Sequence, residues 1–98
     1  MIRRASFHRL AQLEVLDASA YYASVGEGLG SEFLDELDRV RHLLVAHPEI
    51  GPVVRDNIRK KILREFPYTV FYSIRLDEIR ILAVGHQKRR PFYWRGRR

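Results

Sequence analysis

The chain has 98 residues, of which 46% are hydrophobic and 31% charged, and none is cysteine. This length fits one domain with one core, and the lack of cysteine excludes disulfides and thiolate metal sites. No apolar run approaches the roughly 20 residues of a membrane helix, and the N-terminal residues lack the apolar segment of a signal peptide. We therefore expect a cytoplasmic protein without membrane contact.

The charge is divided unevenly along the chain. Residues 1–54 contain five Lys or Arg and eight Asp or Glu, a net charge of −3. Residues 55–98 contain thirteen Lys or Arg and four acidic residues, a net charge of +9. A positive field confined to one half of a small domain favours an anionic partner, either nucleic acid or an acidic protein surface.

The chain begins with a predicted strand and a predicted helix. Residues 2–7, "IRRASF", fit a short strand, and a first helix is predicted from about His8 to Ser24. Its apolar residues at roughly helical spacing are Leu10, Leu13, Leu16 and Ala20.

A glycine-rich break, "VGEGLGS", precedes a second predicted helix from about Ser31 to His47. One apolar stripe runs along this helix, formed by Phe33, Leu37, Val40 and Leu44. Two amphipathic helices joined by a short turn should form an antiparallel hairpin.

The second half has the pattern of strands. The segment "NIRKKILREF" alternates imperfectly, "YTVFYSIR" alternates clearly, and "EIRILAVGH" is apolar on both faces, as in a central strand. In the last of these, Ile79, Ile81 and Ala83 are expected on one face, and Arg80, Leu82 and Val84 on the other. The predicted architecture is β-α-α-β-β-β, an α+β domain with the helical hairpin packed on one face of a mainly antiparallel sheet.

A basic run, "RDNIRKKILR", covers residues 55–64. Strand alternation places Arg59 and Lys61 on one face and Lys60 and Ile62 on the other. Two interpretations remain open for these charges: protection of an edge strand against aggregation, or a basic stripe on the sheet face away from the helices.

The chain ends in "AVGHQKRRPFYWRGRR", where His86 closes a strand and basic residues alternate with aromatic ones. Arginine together with aromatic side chains is the composition of binding hot spots and of nucleic-acid contacts. Three adjacent aromatic residues are rarely all exposed, so at least one of Phe92, Tyr93 and Trp94 is expected to fold back into the core.

No motif predicts a cofactor or a metal. The "GEGLGS" segment lies between helices rather than after a strand, so it is interpreted as a turn and not as a phosphate-binding loop. His42 and His47 lack metal-ligand spacing and have no cysteine partner.

The string "REFPYTVFYSIRLDEIRILAVGHQKRRPFYW" resembles the ParE/RelE superfamily of toxins from bacterial type II toxin–antitoxin modules. The resemblance covers roughly residues 55–95, and the preceding helices fit the family's order of elements. It implies a single toxin domain over residues 1–98, with a basic and aromatic tail over about 87–98. It also implies a cognate antitoxin, whose acidic, amphipathic segment would suit the basic half and the groove beside the helical hairpin.

The superfamily divides by mechanism. RelE-like members are ribosome-dependent, metal-independent ribonucleases that cut mRNA, and this chemistry needs a group that activates the 2′-hydroxyl, a cation and an acid. The residues that would fill these roles by resemblance are Lys61, Arg64, His86, Arg89 and Tyr93.

Two positions favour the other branch. RelE-like nucleases usually carry arginine where this chain has Thr69, and often a basic residue where it has Gln87. The "FPYTVFY" strand is more typical of ParE-like members, which inhibit DNA gyrase by protein–protein contact. We therefore expect a gyrase inhibitor without catalytic residues. A non-toxic nucleic-acid-binding module remains a further alternative.

Under the gyrase hypothesis the C-terminal segment faces the target. The residues expected to contact it are His86, Lys88, Arg89, Arg90, Tyr93, Trp94 and Arg95.

Overall fold

The computed structural model describes residues 1–98. Seven elements follow in chain order: β1 (Arg4–Phe7), α1 (Arg9–Val25), α2 (Leu29–Ala46), β2 (Val53–Arg55), β3 (Ile58–Ile62), β4 (Tyr68–Ile74) and β5 (Glu78–His86). The strands form one sheet in the order β1-β5-β4-β3-β2. Only the pairing of β1 with β5 is parallel. The predicted α+β fold is confirmed, with β2 as an additional edge strand that is too short to show an alternating pattern.

The second helix of the hairpin, α2, packs its predicted apolar stripe into the core. Phe33, Leu37, Val40 and Leu44 of α2 are buried and belong to the main core. Neither α1 nor α2 is both long and apolar enough to cross a membrane.

The predicted apolar side of α1 is wrong. Leu13 and Leu16 are 47% and 63% exposed, whereas Ala11 and Ala18 are buried. Small side chains face inward because α1 packs against both α2 and β5, and close packing on two sides leaves little room for leucine.

The turn between the helices is tighter than the sequence indicated. Gly28 has a φ of 80°, a left-handed conformation that favours glycine. Helix α2 already begins at Leu29 and therefore contains Gly30. A Cβ atom at Gly30 would lie 2.8 Å from the Ser19 carbonyl oxygen. The glycine thus permits the close approach of α1 and α2.

A β-bulge changes the faces of β5. Phe71 of β4 pairs with Ala83, but the next residue, Tyr72, pairs with Ile81, so Leu82 is the extra residue. Ala83 therefore shares the face of Phe71, and Val84 joins the helix-side core. The predicted faces are correct up to Ile81 and reversed beyond the bulge.

Tyr72 joins the loop after α2 to the sheet. Its side chain is buried, and its hydroxyl donates to the Pro48 carbonyl oxygen at 2.7 Å. The same hydroxyl accepts from the Gly51 backbone N–H at 3.0 Å. Burial raises the pKa of this hydroxyl above its usual value, so it stays protonated and can both donate and accept.

We predict that Tyr72→Phe lowers the free energy of unfolding by about 1–3 kcal/mol, because it leaves a buried N–H and a carbonyl without their partner. Urea denaturation measures this difference. Tyr21→Phe is the control, since Tyr21 is 59% exposed, and its stability should stay within about 0.5 kcal/mol of the parent. Equal stability of all three proteins would contradict the anchoring role.

Candidate functional site

The C-terminal tail, residues 87–98, folds back across the sheet face opposite the helices. Trp94 is 2% exposed, and its ring lies 5.0 Å from the ring of Phe71 on β4. Phe92 lies 5.6 Å from Trp94 and remains 38% exposed. The expectation that at least one aromatic residue of the tail folds back is confirmed. Trp94 packs within the protein and is not placed to contact a target.

Glu14 of α1 holds the tail in position. Its carboxylate accepts two hydrogen bonds from the Arg97 guanidinium, at 3.0 and 3.1 Å. It also accepts from the Val84 N–H at 2.9 Å. The side chains of Glu14 and Arg97 are only 14% and 11% exposed, so this ion pair is largely removed from water.

These contacts satisfy a sheet edge. Strand β1 ends its pairing with β5 at Ile81, so β5 continues beyond it without a neighbouring strand on that side. Glu14 accepts from the Val84 N–H, and Arg97 donates to the Leu82 carbonyl oxygen at 3.0 Å. Two side chains thus replace the missing strand, since buried backbone groups require partners.

Tyr93 lies between two arginines. The Arg89 guanidinium carbon is 3.9 Å from the centre of its ring, and that of Arg97 is 5.1 Å away. A Cβ atom at Gly85 would collide with the Tyr93 hydroxyl and ring, so only glycine leaves room for this packing. Burial raises the pKa of the Tyr93 hydroxyl, and the Glu14 carboxylate raises it further.

The tail and the sheet enclose a cleft of about 450 Å³. Its floor is formed by Ile62 of β3, Thr69 and Phe71 of β4 and Gly85 of β5, and one wall by the tail. The basic groups along it are Lys60, His86, Arg89 and Arg90, and no acidic residue lines it. The cleft therefore combines an apolar floor with a positive rim.

The residues expected to face a target are mostly accessible. The exposed ones are Lys88, Arg89, Arg90 and Arg95. His86 is partly buried, its Nδ1 accepts from the Lys88 N–H at 3.0 Å, and its ring lies 5.3 Å from that of Tyr68. His86 thus shapes the turn that begins the tail.

The five residues assigned to a nuclease by resemblance do not lie in one site. His86, Arg89 and Tyr93 line the cleft, but Lys61 and Arg64 do not. Lys61 pairs with Val70 and therefore lies on the helix-facing side of the sheet. Arg64 lies in a separate hollow with acidic residues of α2. Its backbone N–H donates to the Glu36 carboxylate at 2.6 Å.

The basic residues of β3 have different roles. Arg59 donates to the carbonyl oxygens of Glu49 and Gly51, at 3.1 and 2.8 Å, and so supports the loop before β2. Lys60 points to the opposite face and lines the cleft. Strand β3 is internal, because β2 covers its outer edge.

Glu14 and Gly85 are two residues of the site that the sequence analysis missed. A glycine inside a strand often marks a close approach of another group, and this signal pointed to Gly85. No local signal pointed to Glu14, because its partners Val84 and Arg97 are 70 and 83 residues away in the chain. The structure contains no group of three or more His, Cys, Asp or Glu side chains that could hold a metal ion.

We predict that Glu14→Gln lowers the free energy of unfolding by about 1–3 kcal/mol, because Arg97 loses its charge partner in a largely buried position. Hydrogen exchange of the tail amides should also become faster, since the tail is then held less firmly. The control is Glu27→Gln, an exposed residue of the turn between the helices. Unchanged stability and unchanged tail exchange in Glu14→Gln would contradict this role of Glu14.

The sequence was also compared with known proteins. The model of the family described as "ParE toxin of type II toxin-antitoxin system, parDE" matches residues 5–91. A search of curated proteins found no match. The family match covers most of the chain, including the helical hairpin, strands β2 to β5, all of β1 but its first residue, and the start of the tail. The chain therefore belongs to the ParE family of toxins from type II toxin–antitoxin systems.

Proposed function

We propose that this toxin inhibits DNA gyrase by protein–protein contact through its C-terminal cluster, defined as His86, Lys88, Arg89, Arg90, Tyr93 and Arg95. The observation that carries the proposal is the exposure of four basic side chains on a tail that is fixed to the fold by Glu14, Arg97 and Trp94. A tail whose backbone is already held in place loses less conformational entropy on binding than a free one, which favours recognition of an acidic partner surface.

The separation of the nuclease residues also favours contact over catalysis. General acid–base chemistry needs its groups within hydrogen-bond reach of one reacting centre, and Lys61 lies on the opposite face of the sheet from His86 and Tyr93. The hydroxyl of Tyr93 is buried and has a raised pKa, which makes it a poor proton donor. Thr69, at the position where RelE-like nucleases usually carry an arginine, lies on the cleft floor.

The ParE family implies an antitoxin partner, and we propose that a cognate antitoxin neutralises this toxin. Support comes from α1, where Leu13 and Leu16 are exposed and a hollow lies between Phe7 and Leu16. Such a surface suits the apolar side of an amphipathic segment, and nearby Arg9 suits its acidic side.

A gyrase supercoiling and cleavage assay with the purified protein tests the proposal. We expect inhibition with accumulation of cleaved DNA, and relief when the antitoxin is added. If folded, monodisperse protein has no effect on gyrase, the proposal fails, and mRNA cleavage on ribosomes becomes the reaction to measure.

The double variant Lys88→Glu and Arg90→Glu should weaken inhibition at least about tenfold, because it reverses two exposed charges that face the target. These positions are chosen over Arg89, which packs on Tyr93 and approaches Glu14. The matched control is Arg3→Glu with Arg75→Glu, which changes the net charge equally near the opposite end of β5. Equal loss of inhibition in both double variants would indicate a general charge effect and would contradict a specific surface.

A further inference from the structure

The first helix carries an apolar stripe that the core of the chain does not use. Leu13, Leu16, Ala20 and Ala23 follow one another along α1 at intervals of three, four and three residues, and all four are exposed. Alternating intervals of three and four keep residues on one side of a helix, and they are the spacing of seams at which two helices pack together. Most of the apolar stripe predicted from the sequence is therefore real, but it faces away from the core.

The sizes of the side chains along this seam match each other in one direction only. The two leucines lie in the first half of the helix and the two alanines in the second half. If a second copy of α1 packs antiparallel to the first, Leu13 lies opposite Ala23 and Leu16 lies opposite Ala20, so each large side chain meets a small one. In a parallel arrangement leucine meets leucine and alanine meets alanine, which separates one half of the seam.

The charges at the two ends of the seam favour the same arrangement. Arg9 is exposed at the start of α1, and Glu27 is exposed just after its end, four residues beyond Ala23. Antiparallel packing brings Arg9 of each copy to Glu27 of the other, and to the end of the helix that carries the negative part of the helix dipole. Parallel packing would instead place the two Arg9 side chains together.

From these observations we infer that α1 is a self-association surface, through which two copies of this chain form an antiparallel, twofold dimer. The seam consists of Leu13, Leu16, Ala20 and Ala23, and the same surface of each copy contacts the other. One helix face is smaller than a standard interface, so the dimer is weak, with a dissociation constant in the micromolar range. The inference rests on the exposed face of α1 alone and is independent of the gyrase contact proposed above.

The distribution of charge also selects this face for contact between copies. The chain has a net charge of +6, so two copies repel each other wherever basic surfaces meet. The exposed basic residues of the tail lie on the sheet face opposite the helices, whereas α1 contains only Arg9 against Glu14 and Asp17. A dimer formed through α1 keeps the two tails apart and leaves the proposed gyrase surface of each copy free.

The same leucines support the antitoxin contact proposed above, so a second copy and the antitoxin would compete for α1. A dimer would then cover the stripe in free toxin and dissociate when the antitoxin binds. Exposed apolar surface that stays uncovered promotes non-specific association, and pairing with a second copy removes that liability.

Sedimentation equilibrium of the full-length protein tests the inference. Concentrations from about 5 to 500 µM span the range expected for a weak interface, at about 150 mM salt to limit repulsion between the copies. We expect the average mass to rise from 11.6 kDa towards twice that value and to stop there. A twofold contact closes on itself, so larger species should not form.

Two exposed leucines provide a matched pair of variants. Leu16 lies in the seam and is 63% exposed, whereas Leu76 lies in the turn between β4 and β5 and is 95% exposed. Leu16→Ser should weaken the dimer at least about fivefold, because both copies lose buried apolar surface. Leu76→Ser makes the same chemical change elsewhere and should alter the dissociation constant less than twofold. Circular dichroism establishes that both variants are folded.

Disulfide cross-linking tests the direction of packing, and the chain is suited to it because it has no cysteine of its own. A mixture of Leu13→Cys and Ala23→Cys proteins should form a mixed disulfide under mild oxidation, identified by its mass. Neither variant alone should cross-link efficiently. In the antiparallel dimer two residues at position 13 are about 15 Å apart along the helix, whereas a disulfide needs Cα atoms within about 7 Å.

Three results would overturn the inference. The first is a constant mass of 11.6 kDa at all concentrations, which would leave the stripe to the antitoxin alone. The second is an equal effect of Leu16→Ser and Leu76→Ser, which would place the dimer contact on another surface. The third is efficient cross-linking of Leu13→Cys with itself and not with Ala23→Cys, which would exclude antiparallel packing. Gyrase inhibition is measured separately, so its failure changes none of these outcomes.

Discussion

The position of the C-terminal tail on the sheet depends on one largely buried carboxylate. The Glu14 carboxylate accepts hydrogen bonds from the Arg97 guanidinium and from the Val84 N–H, at distances of 2.9–3.1 Å. A carboxylate removed from water is stable only when charges and hydrogen bonds replace its hydration. Helix α1, the end of β5 and the last residues of the tail are therefore tied together at one point. Removing Glu14 takes the carboxylate partner from both the Val84 N–H and the Arg97 guanidinium.

The need for this contact comes from the unequal lengths of β1 and β5. Strand β1 stops opposite Ile81, and β5 continues to His86. The continuing edge would expose backbone groups that invite pairing with another chain. Glu14 and Arg97 satisfy that edge from the side, and the tail is thereby drawn across the sheet. The surface that we propose for binding gyrase, and the cleft beside it, are both consequences of this closure.

The two faces of the sheet have separate tasks. The helix side contains the main core, in which Phe33, Tyr72 and Ile81 are fully buried. The other side is covered only in part, by Trp94 and its neighbours, and retains a cleft with a positive rim. Stability therefore depends mostly on one face, and the gyrase contact that we propose uses the tail on the other face without exposing the core.

The sequence by itself determined the fold class, the second helix, the alternation of β4 and the ParE/RelE resemblance, because each is written in local periodicity or in a contiguous motif. It also placed the excess of positive charge. Only the tertiary structure decided which side of α1 is buried, since the choice depends on the space left by α2 and β5. The faces of Ala83 and Val84 depend on a bulge, which alternation alone does not reveal. Alternation separated Lys60 from Lys61, but only the structure showed that Lys60 lines the cleft and Lys61 faces the helices. The role of Glu14 arises from contacts with residues 70 and 83 positions away. Interactions over such separations form when the chain closes on itself, and no local pattern records them.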